Sequence, residues 1–560
     1  MLPETAAAAR DWLDQDPDPT THAELSALLT AAESGDAEAE SALTERFSGR
    51  LAFGTAGLRG EIGAGPQRMN RVLVGQAAAG LARFLRERES APSIVIGYDG
   101  RTNSDVFARD TAEIMQAAGV AATLLPRLLP TPVLAYAVRH LGASAGVMVT
   151  ASHNPPRDNG YKVYLGGADE GSQIVAPDDA AIAAHIDDVA RTEKVTELPR
   201  QTDYALAPES VIEDYRRDTA MALQERVDRA PVRAPLRVVY TAMHGVGWET
   251  FEKIAVAAGF TDLHAVPSQR EPDAAFPTVA FPNPEEAGAL DASIALATEI
   301  DADLILANDP DADRVSLAIP DAEAETGWRQ LTGNEVGWLL GWRAAERARA
   351  EGRTDAQLAC TIVSSPALAA IAADYGLGFT ETLTGFKWVS RVPGLVFGYE
   401  EALGYLVNPE TLRDKDGISA ALVLLDLVAQ AKAQGRSVDD LLTAFRERFG
   451  AFASRQLAIR VADLGVIGRI MSELRTRPPA SLGGRTVDGV DDLAAGTATL
   501  PPSDALRFRL EGGSRVMARP SGTEPKLKFY VDTRTTTPAE GAELLTAIIA
   551  DLQRIADSVS

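Results

Sequence analysis

The sequence predicts a multidomain α/β protein, and three observations carry that expectation. The first is length. The chain has 560 residues, more than one hydrophobic core holds, and at roughly 150 residues per domain it divides into three or four. The second is alternation. Short apolar runs end in glycine or polar loops and pass into Ala/Leu-rich helical stretches, as in "SIVIGYDGRTNSDVFARDTAEIMQAAG", "LRVVYTAMHGVGWETFEKIAVAAG", "ADLILANDPDADR" and "LACTIVSSPALAAIAADYG". Buried strands alternating with helices are the mark of α/β layers, in which ligands gather at the carboxyl ends of the strands. The third is composition: 46% apolar and 24% charged residues belong to an ordinary globular protein, and no apolar run approaches the ~20 residues of a membrane span.

Charge narrows the partners. Lys and Arg total 54 against 79 acids, a net charge of −25, and a nucleic-acid binder normally shows a basic face. An acidic protein still binds small anions where its few cations converge, so the places where Arg and Lys cluster matter more than the total. The N-terminal stretch "MLPETAAAARDWLDQDPDP" has acids where a signal peptide needs a basic start and an apolar centre. The single cysteine, Cys360 in "LACTIV", excludes an internal disulfide and reads as a buried small hydrophobe. Together these features predict a cytoplasmic protein, with neither nucleic acid nor membrane among its partners.

Residues 1–45 are Ala- and acid-rich and read as a helical N-terminal extension. Boundaries near 205, 327 and 452 then divide the rest into 46–205, 206–327, 328–452 and 453–560. Pro/Gly-rich stretches such as "REPDAAFPTVAFPNPEEAG" and "RTRPPASLGG" read as loops or linkers.

Several short stretches could carry chemistry. In "TASHNPPRDNGYKVY" (150–164), Ser152, His153 and Lys162 follow the apolar run "SAGVMV", and two prolines prevent a clean helix start. Ser152 lacks the flanking glycines of an esterase elbow, and strand-like geometry would point His153 away from it, against a Ser–His dyad. In "NDPDADR" (308–314), Asp309, Asp311 and Asp313 alternate after the strand "LILA", with Arg314 behind them. Carboxylates this close repel unless a cation neutralises them, and hard oxygen ligands suit Mg²⁺. A solvated acidic turn is the bland alternative. An EF-hand fits poorly, since its sixth-position glycine is Arg314 and its twelfth residue is Pro320.

In "RPSGTEPKLKFY" (519–530), Arg519, Ser521, Gly522 and Thr523 form a tight turn with Lys526 and Lys528 beyond it. Such a turn is a phosphate cradle or simply a hairpin. "GTAGLRG" (54–60) allows close backbone approach and delivers Arg59. "LTGFKWVS" (383–390) and "GYEEALGY" (398–405) each read as a loop between strand and helix. The first offers Lys387; the second offers Glu400 and Glu401, which can accept sugar hydroxyls. A serine near a three-Asp loop and near phosphate-binding arginines could accept and donate a phosphoryl group.

Taken together these residues resemble the α-D-phosphohexomutases (phosphoglucomutase, phosphomannomutase and relatives). The resemblance runs from about residue 45 to the end and includes "TASHNP", "DPDADR", "GYEEALGY" and "RPSGTEPK" in the family's order. It implies an α/β, four-domain phosphohexomutase architecture: three related α/β domains and a smaller C-terminal α+β domain around a central cleft. It implies a mutase that interconverts hexose 1-phosphate and hexose 6-phosphate, for glucose or mannose, through a phosphoserine and a sugar bisphosphate intermediate. Ser152 corresponds to the phosphoserine and a ligand of one Mg²⁺, with Asp309, Asp311 and Asp313 as the other ligands. Arg59 and Arg314 correspond to active-site arginines, Lys162 to the general acid/base, and His153 joins the catalytic candidates beside Ser152. Lys387 is a second basic group near the sugar, and Glu400 and Glu401 lie in the sugar loop. Arg519, Ser521, Gly522, Thr523 and Lys528 correspond to the cradle of the phosphate that is not transferred.

For Lys162 to relay a proton, burial must lower its pKa, as lysine allows and arginine does not. Many phosphoglucomutases have a serine after the paired glutamates, where this chain has Ala402, and "EEALGY" also resembles the phosphopentomutase branch. A pentose phosphate is therefore the alternative substrate. A sugar-phosphate phosphatase using an aspartate of "DPDADR", and a silent sugar-phosphate sensor, are the alternative functions. The expected partners are small sugar phosphates, and the expected assembly is a monomer or homodimer.

Overall fold

A computed structural model describes residues 3–223, 232–461, 464–520 and 526–559. The chain divides into two compact units, Met1–Glu225 with Pro235–Gln330 and Leu406–Asp426, and Arg226–Ala234 with Leu331–Tyr405 and Leu427–Ser560.

The first unit opens with helices Pro3–Leu13, Pro19–Glu33 and Ala37–Arg46. Asp18 and Asp36 cap the second and third through carboxylate bonds to backbone N–H groups. A seven-stranded mixed sheet follows. Its main path runs Leu58–Glu61, Asp158–Leu165, Ala145–Val149, Ser93–Tyr98, Ala121–Leu124, Ala205–Leu206. The inner strands pair in parallel, whereas Asp158–Leu165 is antiparallel to both neighbours. Helix Arg71–Arg88 packs its apolar face into this core; it starts where Asn70 accepts the Leu73 N–H at 3.0 Å and ends with Arg86 and Arg88 facing the negative pole of its dipole. A second sheet of the same unit orders Trp328–Gln330, Val315–Pro320, Leu304–Asn308, Arg237–Thr241, Asp262–Ala265.

In the second unit a four-stranded sheet orders Gly378–Thr382, Gln357–Thr361, Leu395–Glu400, Gly404–Leu406. Helix Gly333–Ala350 begins at a reciprocal capping box of Thr332 and Glu335. Cys360 is fully buried in the strand Gln357–Thr361. The C-terminal part is α+β, an antiparallel six-stranded sheet from Ala451–Arg460 to Ser481–Leu482 whose apolar face is covered by helices Leu464–Thr476 and Pro538–Val559. No helix among the described residues is long and apolar enough to cross a membrane.

One local expectation is corrected. "GYEEALGY" is not a strand-to-helix loop: Glu400 ends the strand Leu395–Glu400 and the chain turns directly into Gly404–Leu406. Leu403 takes a φ of 64° to make that turn. Neither Pro nor Gly marks it, so composition conceals a strand-to-strand connection.

Candidate active site

The serine loop leaves the buried strand Ala145–Val149. Ser152 has a φ of 54°, in the left-handed region that a side chain enters only at a cost. Three groups hold it there. Its N–H donates to Thr150 Oγ1 at 2.8 Å, its carbonyl accepts from Arg101 at 2.6 Å, and its Oγ donates to Asp309 Oδ2 at 2.7 Å. The left-handed turn also overturns the strand-like reading of His153, whose Nδ1 lies 3.2 Å from Ser152 Oγ. Burial, with Arg314 and Arg59 close by, drives the His153 pKa well below its ordinary value, so the ring is neutral at pH 7.

The strand Leu304–Asn308 delivers the three aspartates. Ala312 sits at a φ of 55°, and its N–H closes the turn on Asp309 O at 2.8 Å. Carboxylate oxygens of Asp309, Asp311 and Asp313 thereby converge within 4.8 Å of one another, all buried. Lys162 Nζ bonds Asp311 Oδ2 at 2.7 Å and Asp313 Oδ2 at 2.9 Å. Thr131 Oγ1 donates to Asp311 Oδ2 at 2.7 Å, and Lys415 Nζ is 3.3 Å from Asp313 Oδ2.

This charge pattern corrects the expectation that burial lowers the Lys162 pKa. Burial does push it down, but Asp311 and Asp313 outweigh burial and raise it. Asp311 and Asp313 end below the usual carboxylate range: burial pushes both up, and the bound Lys162 more than offsets it. Asp309 has no lysine partner, and burial together with its two acidic neighbours drives it well above that range.

A cation fits this donor set. The Oδ1 atoms of Asp311 and Asp313 are buried without a hydrogen-bond partner, an expensive condition unless a positive charge takes them. All the donors are hard oxygens, and Asp309 lacks a neutralising side chain.

Arg59 lies on the edge strand Leu58–Glu61, opposite Gly160, and its Nη1 donates to Asn154 Oδ1 of the serine loop at 3.1 Å. Gly57 before it is required, since it has a φ of 74° and a Cβ there would sit 1.8 Å from Tyr161 O. Arg314 donates its backbone N–H to Asp309 Oδ1 at 3.1 Å. Ser152, His153, Lys162, Arg59, Arg314 and the aspartates therefore gather in the first unit.

The other candidates belong to the second unit. Lys387 is on the short helix Phe386–Val389, and Gly385 N–H before it donates to Glu400 Oε1 at 2.9 Å. Glu401 Oε2 accepts from Ser364 Oγ at 2.8 Å, and its own N–H returns to that oxygen at 3.1 Å. Arg519 ends the strand Ser514–Pro520 directly across from Lys528. Ser521, Gly522 and Thr523 lie outside the described residues.

Sequence reasoning missed Arg101, Thr131 and Lys415. Arg101 had a signal, because "GYDGRTNS" follows a buried strand at its carboxyl end, where α/β sites form. Thr131 and Lys415 had none. Thr131 reaches Asp311 across 180 residues of chain.

A serine held against a cluster of metal-type carboxylates, in a chain of α/β layers with a C-terminal α+β part, defines the class: phosphomutases, enzymes of intramolecular phosphoryl transfer. Comparison with known proteins gives the particular family. The chain matches the phosphoglucomutase/phosphomannomutase profiles for α/β/α domain I over residues 50–193, domain II over 219–322, domain III over 332–449 and the C-terminal domain over 472–550. It is 53% identical to a "Probable phosphomannomutase" of Haemophilus influenzae, over 85% of this chain and 95% of that protein. It is 35% identical to a "Probable phosphoribomutase" of Schizosaccharomyces pombe, over 94% of this chain and 93% of that one. The fold is shared with a crystal structure described as a phosphomannomutase of Thermus thermophilus, with a TM-score of 0.67 at 24% identity over 90% of this chain and 99% of the other. The chain belongs to the phosphoglucomutase/phosphomannomutase family.

Proposed function

We propose that this enzyme interconverts hexose 1-phosphate and hexose 6-phosphate, with glucose and mannose both accepted. Ser152 carries the phosphoryl group and a sugar bisphosphate is the intermediate. The observation that carries the reading is the bond from Ser152 Oγ to Asp309 Oδ2 at 2.7 Å. It sets a nucleophile of constrained backbone against a buried three-carboxylate cluster. Phosphoryl transfer needs positioning and charge neutralisation more than covalent chemistry. Mg²⁺ bound by Asp309, Asp311, Asp313 and a phosphoserine oxygen would supply charge neutralisation at the transferred group.

The remaining roles are borne by the chain itself. Arg59 and Arg314 steady the transferred phosphoryl group with guanidinium charge. Lys162 is held as a cation by Asp311 and Asp313, and it moves a proton only as those carboxylates release it, because their field is what raises its pKa. His153, neutral beside Ser152, completes the catalytic set as an acceptor. Glu400 and Lys387 belong to sugar recognition. Glu401, bonded to Ser364 and Thr361, has a weaker claim to sugar hydroxyls. Arg519, Ser521, Gly522, Thr523 and Lys528 hold the phosphate that is not transferred. The net charge of −25 and the single buried cysteine suit a cytoplasmic enzyme of small sugar phosphates.

The hexose reading draws support from 53% identity to a protein named for mannose. A pentose phosphate is the second reading. It is favoured by Ala402, which removes a hydroxyl from the sugar loop, and by the Schizosaccharomyces pombe relative named for ribose. Measuring kcat/KM for glucose 1-phosphate, mannose 1-phosphate and ribose 1-phosphate side by side decides between them. Few hydroxyl contacts imply discrimination of about 1–3 kcal/mol, so a pentose preference beyond roughly a hundred-fold overturns the hexose reading. A Ser152→Ala variant that keeps full turnover overturns the mutase mechanism itself.

A further inference from the structure

Both peptide groups that flank Ser152 are held from a single buried carboxylate outside the site described above. Asp99 is 1% exposed. It accepts from Thr150 Oγ1 at 2.6 Å, from Ser104 Oγ at 2.7 Å and from the Arg101 backbone N–H at 3.1 Å. Thr150 Oγ1 takes the Ser152 N–H at 2.8 Å, so Asp99 fixes the approach to the serine through Thr150.

Arg101 fixes the departure. Its guanidinium, 3% exposed, donates to four carbonyls of the loop: Ser152 O and Asn154 O at 2.6 Å, Pro155 O at 2.8 Å and Asp158 O at 3.0 Å. Only a planar fork of five N–H donors reaches four acceptors in this way; a lysine ammonium does not. Two prolines sit inside the loop and lack N–H groups of their own, so these carbonyls have little local means of satisfaction.

The fork is capped from the neighbouring domain of the same unit. The Phe276 ring centroid lies 5.0 Å from the Arg101 guanidinium carbon. Phe276 is 3% exposed and takes a φ of 46°, which is rare for an aromatic residue. The segment that carries it approaches closely, since a Cβ on Gly100 would meet Pro272 at 2.8 Å.

We propose that Arg101 is a positioning residue for phosphoryl transfer. With Asp99 it imposes the left-handed turn that aims Ser152 Oγ, and Phe276 fixes the plane of the guanidinium. The aim of the serine therefore depends on the contact between the first two domains. The inference rests on Ser152 as the phosphoryl carrier and adds what orients it.

The experiment compares the parent with Arg101→Lys, Phe276→Leu and the double variant, each assayed well below its melting temperature. Phosphorylation of Ser152 by glucose 1,6-bisphosphate is followed by quenched intact-mass analysis, alongside kcat, KM and thermal melting. Misaim on the order of 1 Å costs roughly a hundred-fold, so Arg101→Lys is expected to slow phosphorylation and kcat about that much. KM should stay within about three-fold, because ground-state binding is untouched. Phe276→Leu should slow both roughly ten-fold, and the double variant should be no slower than Arg101→Lys, because Phe276 acts through Arg101.

A purely structural role would lower the melting temperature and leave the phosphorylation rate of folded protein at the parental value; that result overturns the inference. Additive losses in the double variant overturn the Phe276 link. Should Arg101→Lys fail to fold, Phe276→Leu decides alone, and a parental rate there rejects the proposal. A parent that never acquires phosphate on Ser152 overturns the proposed function and the inference with it. A phosphorylated parent beside unimpaired variants overturns the inference only.

Discussion

Replacing Lys162 with methionine tests the charge balance on which the metal assignment rests. Methionine keeps much of the length and apolar stem but removes the ammonium that bonds Asp311 at 2.7 Å and Asp313 at 2.9 Å. Both carboxylates are buried, and breaking a buried pair by deleting one partner costs about 3–5 kcal/mol, chiefly through the uncompensated charge that remains. Asp313 keeps Lys415 at 3.3 Å, while Asp311 keeps only the Thr131 hydroxyl at 2.7 Å. The loss therefore falls mainly on Asp311, toward the lower end of that range.

Mg²⁺ should offset it. A ligand at a thousand times its dissociation constant stabilises the folded state by about 4 kcal/mol, close to the charge deficit. The assay is urea unfolding of parent and Lys162→Met, each with chelator and with saturating Mg²⁺. In chelator the variant should unfold at clearly lower urea, and Mg²⁺ should stabilise it more than the parent, whose lysine competes with the ion for the same oxygens. A variant as stable as the parent in chelator, or one indifferent to Mg²⁺, would refute the reasoning.

Three further outcomes are expected. Asp311→Asn should weaken Mg²⁺ affinity while the fold persists, and undiminished activity after thorough chelation would exclude the metal assignment. Arg519→Ala should raise KM for every sugar phosphate alike, by roughly ten- to a hundred-fold for a lost charge-assisted contact, and an effect confined to one sugar would move Arg519 to sugar recognition. Asp416 is pushed by burial from 3.8 to about 6, against bonds from Ser419, Tyr215 and Ile418. A raised acid stabilises below its unfolded pKa, and that stability disappears as pH rises through the folded one. Asp416→Asn keeps the acceptor for the Ile418 and Ser419 N–H groups and should flatten the loss between about pH 4 and pH 6, worth about 3 kcal/mol at two pKa units; coincident melting profiles for the two proteins would contradict it.

The amino-acid sequence by itself determined the layered α/β class and the chemistry at the ends of two strands. Those features are local. A buried apolar run followed by "TASHNP" or "NDPDADR" brings nucleophile or carboxylates within a few residues of the strand that positions them. The tertiary structure alone decided how those groups face and what charge they bear. Ser152 turns left-handed because Thr150, Arg101 and Asp309 hold it from three directions, and that turn, not strand geometry, sets His153 beside it. Lys162 is raised rather than lowered because two carboxylates from 149 and 151 residues away close on it. Arg101, 51 residues before the serine it holds, and Lys415 beside Asp313 are likewise products of long-range folding. Periodicity and composition report on contiguous stretches of chain. Backbone strain, burial and Coulomb fields are sums over whatever the fold brings together, and they exist only once it has formed.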